Sequence, residues 1–135
     1  MEEKVTHIGI AVHDARQAAL NLAKLLGIEN IPLTEYRTKA LHYRIGLLHL
    51  GGLELELIEP LAQAGMAEEH LRVFGPGVYH IALAVPDLAE ALDRFRKRGF
   101  EHQEIKQGVH GDRVCFLKDP VLPGIYLELV ETPKG

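Results

Sequence analysis

Apolar and polar positions along the chain alternate singly in some stretches and recur every three or four residues in others, and the two periods divide it into elements. In Val5-Thr6-His7-Ile8-Gly9-Ile10-Ala11-Val12, Ile8, Ile10 and Val12 oppose His7, Gly9 and Ala11, which predicts a strand with unlike faces. Ala15, Ala18, Ala19, Leu22, Leu25 and Leu26 then fall at helical spacing. Asp14, with Gln17 three positions on, supplies the start signal, and Gly27 supplies the stop. Three more alternating runs predict strands around residues 31–37, 41–50 and 53–59, the last two joined by a tight Gly51-Gly52 turn.

The same pattern runs twice. Val5 to Asp14 aligns with Val78 to Asp87 at an offset of 73, and Leu55-Glu56-Leu57-Ile58-Glu59 aligns with Leu127-Glu128-Leu129-Val130-Glu131 at an offset of 72. The second copy has its own capping Asp87 with Glu90, helix positions Leu88, Ala91, Leu92 and Phe95, a stop at Gly99, and strands around 101–106, 112–118 and 124–131. The expected fold class is α+β: two tandem βαβββ modules in one domain, about 4–60 and 77–132, joined by a connector over 61–76. The connector holds a short amphipathic piece, Met66 to Leu71, closed by Gly75-Pro76-Gly77. Each sheet covers one face with its helix, so the other faces must curve toward each other or toward a second subunit.

Composition narrows the function classes. At 135 residues, 47% hydrophobic and 25% charged, the chain has the means to build a core without disulfides, and its single cysteine, Cys115, reads as a buried, inert thiol. A net charge of -4 gives no basic surface for nucleic acid. No run of about 20 apolar residues predicts a membrane span, and the acidic opening Met1-Glu2-Glu3-Lys4 is unlike a secretory signal, so a cytoplasmic protein is expected.

The chemistry lies on the faces turned away from the helices. There His7 and His80 sit beside Gly9, Ala11, Ala82 and Ala84, which leave open volume, and the alternation of the two carboxylate strands puts Glu56 and Glu128 on the matching side. A buried carboxylate costs several kcal/mol without a compensating charge. Pseudo-symmetry therefore predicts that His7, Glu56, His80 and Glu128 converge on one divalent ion. Zinc, cobalt, nickel, manganese and iron(II) all accept such a nitrogen and oxygen set. A lone strand histidine is ordinarily a hydrogen-bonded core residue and a lone strand glutamate ordinarily faces water; the repetition of the pair is what argues for ligation. His13, His49, His70 and His102 lack a duplicated partner and are expected in surface or structural roles. Gly108 to Arg113 is read as a hairpin turn with a surface arginine, or as a place where a phosphate or pantetheine group approaches the backbone.

These residues carry a resemblance. His7-Ile8-Gly9-Ile10-Ala11-Val12, Glu54-Leu55-Glu56-Leu57-Ile58-Glu59-Pro60, Tyr79-His80-Ile81-Ala82-Leu83-Ala84-Val85 and Tyr126-Leu127-Glu128-Leu129-Val130-Glu131 are similar to the methylmalonyl-CoA epimerases of the vicinal oxygen chelate superfamily. The resemblance implies a glyoxalase-like, curved mixed sheet around a metal cavity, commonly in a homodimer, with one divalent ion on His7, Glu56, His80 and Glu128. It also implies an acyl-CoA thioester substrate whose carboxylate and thioester oxygens meet the metal, and proton transfer through an enolate. Glu128 is the expected first acid/base. Some members carry the second as a glutamate on the third strand, where this chain reads Leu41-His42-Tyr43-Arg44-Ile45-Gly46 and offers His42. The usual Gln-Gly-Val lead into that strand is missing, and Asp119-Pro120 replaces a common His-Pro. Two rival functions share these features: a lactoylglutathione lyase-type metal isomerase and a metal-free protein that sequesters a small ligand.

Overall fold

The computed structural model describes residues 3–132. Among them the elements run β1 (Lys4–Ala11), α1 (Ala15–Leu26), β2 (Leu33–Arg37), β3 (His42–Leu50), β4 (Leu53–Pro60), α2 (Met66–Phe74), β5 (Gly77–Val85), α3 (Leu88–Lys97), β6 (Lys106–Gln107), β7 (Arg113–Phe116) and β8 (Tyr126–Glu131). Each half thus shows the βαβββ order, with α2 inside the connector. Contacts divide the chain into two compact units: residues 7–79, and residues 80 onward with those before 7.

In the first unit the strands lie in the order β2-β3-β4-β1. β1 runs parallel to β4, and the other neighbours are antiparallel. Asp14, in extended conformation, accepts a hydrogen bond from the Gln17 amide at 3.0 Å and so satisfies one of the free donors at the start of α1. Gly27 ends the helix at φ 70°, a conformation that suits glycine. Ala19 and Ala23 let α1 approach closely, and with Ile31, Leu48 and Leu57 they form a buried cluster that Ile10, Leu22, Leu33 and Leu55 extend. The opposite face is partly covered by α2, whose Ala67 is buried with Ala11, Ile45, Ile58 and Tyr79.

The second unit repeats the plan as β5-β8-β7-β6, with β5 parallel to β8. Asp87 caps α3 by accepting from the Glu90 amide at 3.1 Å. Leu88, Ala91 and Leu92 pack on Val85, Cys115 and Leu129, with Leu83, Phe95 and Leu127 around them. Cys115 is 1% exposed, and burial, reinforced by the charge of Glu128, raises its thiol above the usual range. An inert buried thiol is what the sequence predicts there.

Strand boundaries differ from expectation where the sequence lacks an apolar face or an amide. The strand expected over 101–106 is reduced to Lys106–Gln107, plus a single bridge from His102 to Leu117. Glu101-His102-Gln103-Glu104-Ile105-Lys106 has one aliphatic side chain and nothing else to bury, so it pairs only locally. β8 starts at Tyr126, after a turn in which Leu122 bridges Ile125 beside Pro123. The Gly108–Arg113 stretch is a tight turn: the Gly108 amide donates to Asp112 O at 2.8 Å, and Gly111 has φ 85°.

Leu129 has 0% exposure at the centre of the α3 cluster. Leu129→Ala is expected to lower unfolding free energy by about 2–5 kcal/mol in urea titrations with unchanged m-value. The same truncation at Leu20, which is 60% exposed, should stay within about 0.5 kcal/mol.

Candidate metal centre

Packing against the helices decides which side chains face away from them. In the first unit Ile8, Ile10, Leu55 and Leu57 occupy one face, and the register pairs His7 with Glu54 and Gly9 with Glu56 on the other. His7 Nδ1 stands 3.7 Å from Glu56 Oε2, and the Glu56 side chain is 4% exposed. In the second unit the register pairs Ala82 with Glu128, and His80 Nε2 stands 3.5 Å from Glu128 Oε1. Both members of this pair are buried. In each unit the residue directly beside the carboxylate on the parallel strand is small, Gly9 beside Glu56 and Ala82 beside Glu128.

The distances test the donor set for a metal. Two ligand atoms each about 2.1 Å from a common ion lie about 3.0 Å apart at right angles and about 3.4 Å apart at the tetrahedral angle. Separations of 3.5 and 3.7 Å lie close to that range. Imidazole nitrogen with carboxylate oxygen is a normal ligand set for divalent first-row ions. Each pair therefore fits half of a metal centre. Arg44 and Arg113 do not compete for these carboxylates, since Arg44 pairs with Glu35 and Glu59 and Arg113 pairs with Glu131.

The surroundings of the two pairs are unlike. Leu47 lies across from Glu56, whereas Phe116 lies across from Glu128 and sets its ring edge-on to His80, with centroids 5.3 Å apart at 87°. Glu54, the neighbour of His7, is matched in the second unit by Tyr126 beside His80. Glu54 is 8% exposed, and its Oε2 lies 3.3 Å from Nε2 of the exposed His49. Alternation along β4 puts Glu54 on the same face as Glu56. His49, counted as a surface residue, is the partner that sequence reading did not connect to it, because that contact is set by the β3–β4 register.

His42 requires a correction. Leu47 pairs with Glu56, and His42 lies at an odd offset from Leu47 along β3, so His42 points to the other face. Its Nε2 lies 3.1 Å from Glu35 Oε2, and Arg37 Nη2 lies 3.2 Å from its Nδ1. This hydrogen bond from His42 is the main reason that the Glu35 carboxyl lies below its usual range. The β3 residues that share the face of Glu56 are Tyr43, Ile45, Leu47 and His49. Burial, with the charge of the neighbouring Tyr36, pushes the Tyr43 phenol up to about 12. A β-carbon at Gly65 would stand 2.6 Å from Tyr43 Oη, so glycine at the start of α2 is what lets the helix close over this ring. His70 sets its ring against Phe74, with centroids 5.2 Å apart and the planes tilted by 35°, and His102 donates from Nδ1 to Gln103 O at 2.7 Å, whereas His13 is exposed.

Residues 6–116 match the family described as the Glyoxalase/Bleomycin resistance protein/Dioxygenase superfamily. The chain belongs to that superfamily. Two relatives span almost its whole length. The uncharacterized protein YqjC of Bacillus subtilis is 28% identical over 137 residues, covering 98% of this chain and 94% of its own. An ethylmalonyl-CoA/methylmalonyl-CoA epimerase of Cereibacter sphaeroides is 30% identical over 134 residues, covering 93% and 96%. The crystal structure of methylmalonyl-CoA epimerase from Mycobacterium tuberculosis superposes with a TM-score of 0.80 at 28% identity, covering 97% of this chain and 88% of that one. The α+β, glyoxalase-like fold class expected from the repeat is thus the fold of the protein. The two His–Glu pairs sit at equivalent places in its duplicated βαβββ modules.

The Tyr43 phenol yields a pH prediction. Its proton is held to about pH 12 in the folded chain and released near 10.0 when unfolded, so the native state gains nothing below pH 10 and loses stability as pH rises between the two values. Chemical denaturation at pH 9 and pH 11 should show a fall for the wild type that is smaller in Tyr43→Phe.

Proposed function

We propose that the chain is a metal-dependent acyl-CoA epimerase that interconverts the (R) and (S) forms of methylmalonyl-CoA, and that His7, Glu56, His80 and Glu128 jointly hold its one divalent ion. The observation that carries this reading is the duplicated His–Glu pair close to ligand-to-ligand spacing, with Glu56, His80 and Glu128 buried and each carboxylate beside glycine or alanine on the parallel strand. The substrate class is supported by relatives over nearly the full length that are named for ethylmalonyl-CoA and methylmalonyl-CoA epimerisation. Cobalt, manganese, nickel, zinc and iron(II) are all compatible with two imidazoles and two carboxylates.

A divalent ion bound by these residues supplies Lewis-acid stabilisation for the negative charge that develops on the thioester oxygen as the adjacent carbon is deprotonated. The proton itself is moved by side chains. Glu128 takes it, with the small Ala82 beside it on β5 and Phe116 across from it on β7. Inversion then requires a proton delivered from the opposite side by a second group. Glu54 replaces His42 in that role, because it shares the face of His7 and Glu56, is buried, and touches His49, which reaches solvent and can exchange the proton.

In heavy water the metal-loaded protein is expected to introduce deuterium at the methine carbon of methylmalonyl-CoA while racemising it. Glu128→Gln should abolish both exchange and inversion, and Glu54→Gln should slow inversion by about 10²-fold or more while exchange with retention persists. Elemental analysis should find about one ion per chain, lost in Glu56→Ala and His80→Ala. Label that stays out while methylglyoxal with glutathione turns over would transfer the assignment to a lactoylglutathione lyase-type isomerase. Wild-type protein that takes up no metal would end both enzyme readings and leave the sequestering protein.

A further inference from the structure

Glu59 and Glu131 are a duplicated pair to which the chemistry above gives no part. Each lies three residues beyond the carboxylate of its ligand pair, and the odd spacing turns it toward the helix side of the sheet. Glu59 Oε1 accepts the Ala15 amide, the first of α1, at 2.9 Å across 44 residues of sequence. Glu131 Oε2 accepts the Leu88 amide, the first of α3, at 2.8 Å across 43. An arginine on the neighbouring antiparallel strand braces each carboxylate: Arg44 Nη1 is 3.5 Å from Glu59 Oε1 and Arg113 Nη1 is 3.5 Å from Glu131 Oε1. The carboxylate side chains are 14% and 16% exposed.

The helices do not need these carboxylates in order to start. Asp14 and Asp87 already cap them from within their own sequence, on the Gln17 and Glu90 amides. A second carboxylate drawn from a distant strand has a different consequence: it fixes the end of that strand to the helix, and the helix N-terminus favours the negative charge it receives. We propose that Glu59 and Glu131 are positioning residues that hold the ligand strands β4 and β8 in place, so that Glu56 and Glu128 meet the ion without further ordering. The inference rests on the metal reading above. It acts through the strand backbone, with Arg44 and Arg113 keeping each carboxylate in one rotamer.

Co(II) loading tests it. Glu59→Ala and Glu131→Ala are each expected to weaken Co(II) binding about 10- to 100-fold and to alter the visible d–d absorption of the loaded protein, as loss of a supporting partner does in metal sites. Glu59→Gln and Glu131→Gln keep an oxygen that accepts the helix amide and should restore most of the affinity. Asp14→Ala is the control: it removes a cap from the same helix without touching the ligand strand, and should lower Tm while leaving the Co(II) spectrum and affinity as in the wild type. Equal effects of Glu59→Ala and Asp14→Ala on Co(II), or no effect of either, overturn the proposal. Wild-type protein that binds no Co(II) ends the metal reading instead. Amide exchange of residues 54–58 in metal-free protein then decides the tether: faster exchange in Glu59→Ala than in Asp14→Ala supports it, and equal exchange overturns it.

Discussion

The structure depends on the packing of an aliphatic strand face against a helix, because that packing fixes which way every other side chain on the strand must point. Ile10, Leu55 and Leu57 against α1, and Leu83, Val85, Leu127 and Leu129 against α3, commit the strands to one orientation. A slip of one residue would expose those aliphatics and drive Glu56 and Glu128 into the helix contacts, at a cost of about 1.5–3 kcal/mol for each large side chain uncovered. The polar face is thereby stabilised by apolar contacts on the far side of the sheet. A costly arrangement, carboxylates with imidazoles in a buried setting, is maintained by a core in which they take no part.

That dependence explains what could be read from the sequence. The core face and the ligand face are two outputs of one period-two pattern, so the strands, the helix starts at Asp14 and Asp87, and the pairings His7 with Glu56 and His80 with Glu128 were all legible. Parity within a strand was also legible, and correctly set Glu54 and Glu56 together. Parity between strands was legible only through the Gly51-Gly52 turn. A two-residue loop there pairs Leu50 with Leu53 and hence Leu47 with Glu56, which turns His42 to the other face, a consequence that the reading of His42 as an acid/base left out. The same omission hid His49 as the partner of Glu54. The strand expected over 101–106 fails for a separate reason: its alternation is almost wholly polar, and a strand without a face to bury is held only by its neighbour.

Duplication gave both halves the same imidazole, small residue and carboxylate, and then let their flanks diverge. Leu47 in one half stands where Phe116 stands in the other, and Glu54 where Tyr126 stands. A chemically symmetric centre would treat the two faces of a reacting carbon alike and would gain nothing from distinguishing a carboxylate from a thioester. The divergence supplies that distinction. The half with Phe116 and Tyr126 surrounds its carboxylate with rings, and the half with Glu54 and His49 gives its carboxylate an acidic neighbour connected to solvent. If the pairs ligate an ion as proposed, ligation tolerates no such drift, since loss of any donor would leave buried charge behind, whereas positions two residues away on the same face can change. On the proposed reading, chemical specificity therefore resides in the residues by which the halves differ, and metal binding in those by which they agree.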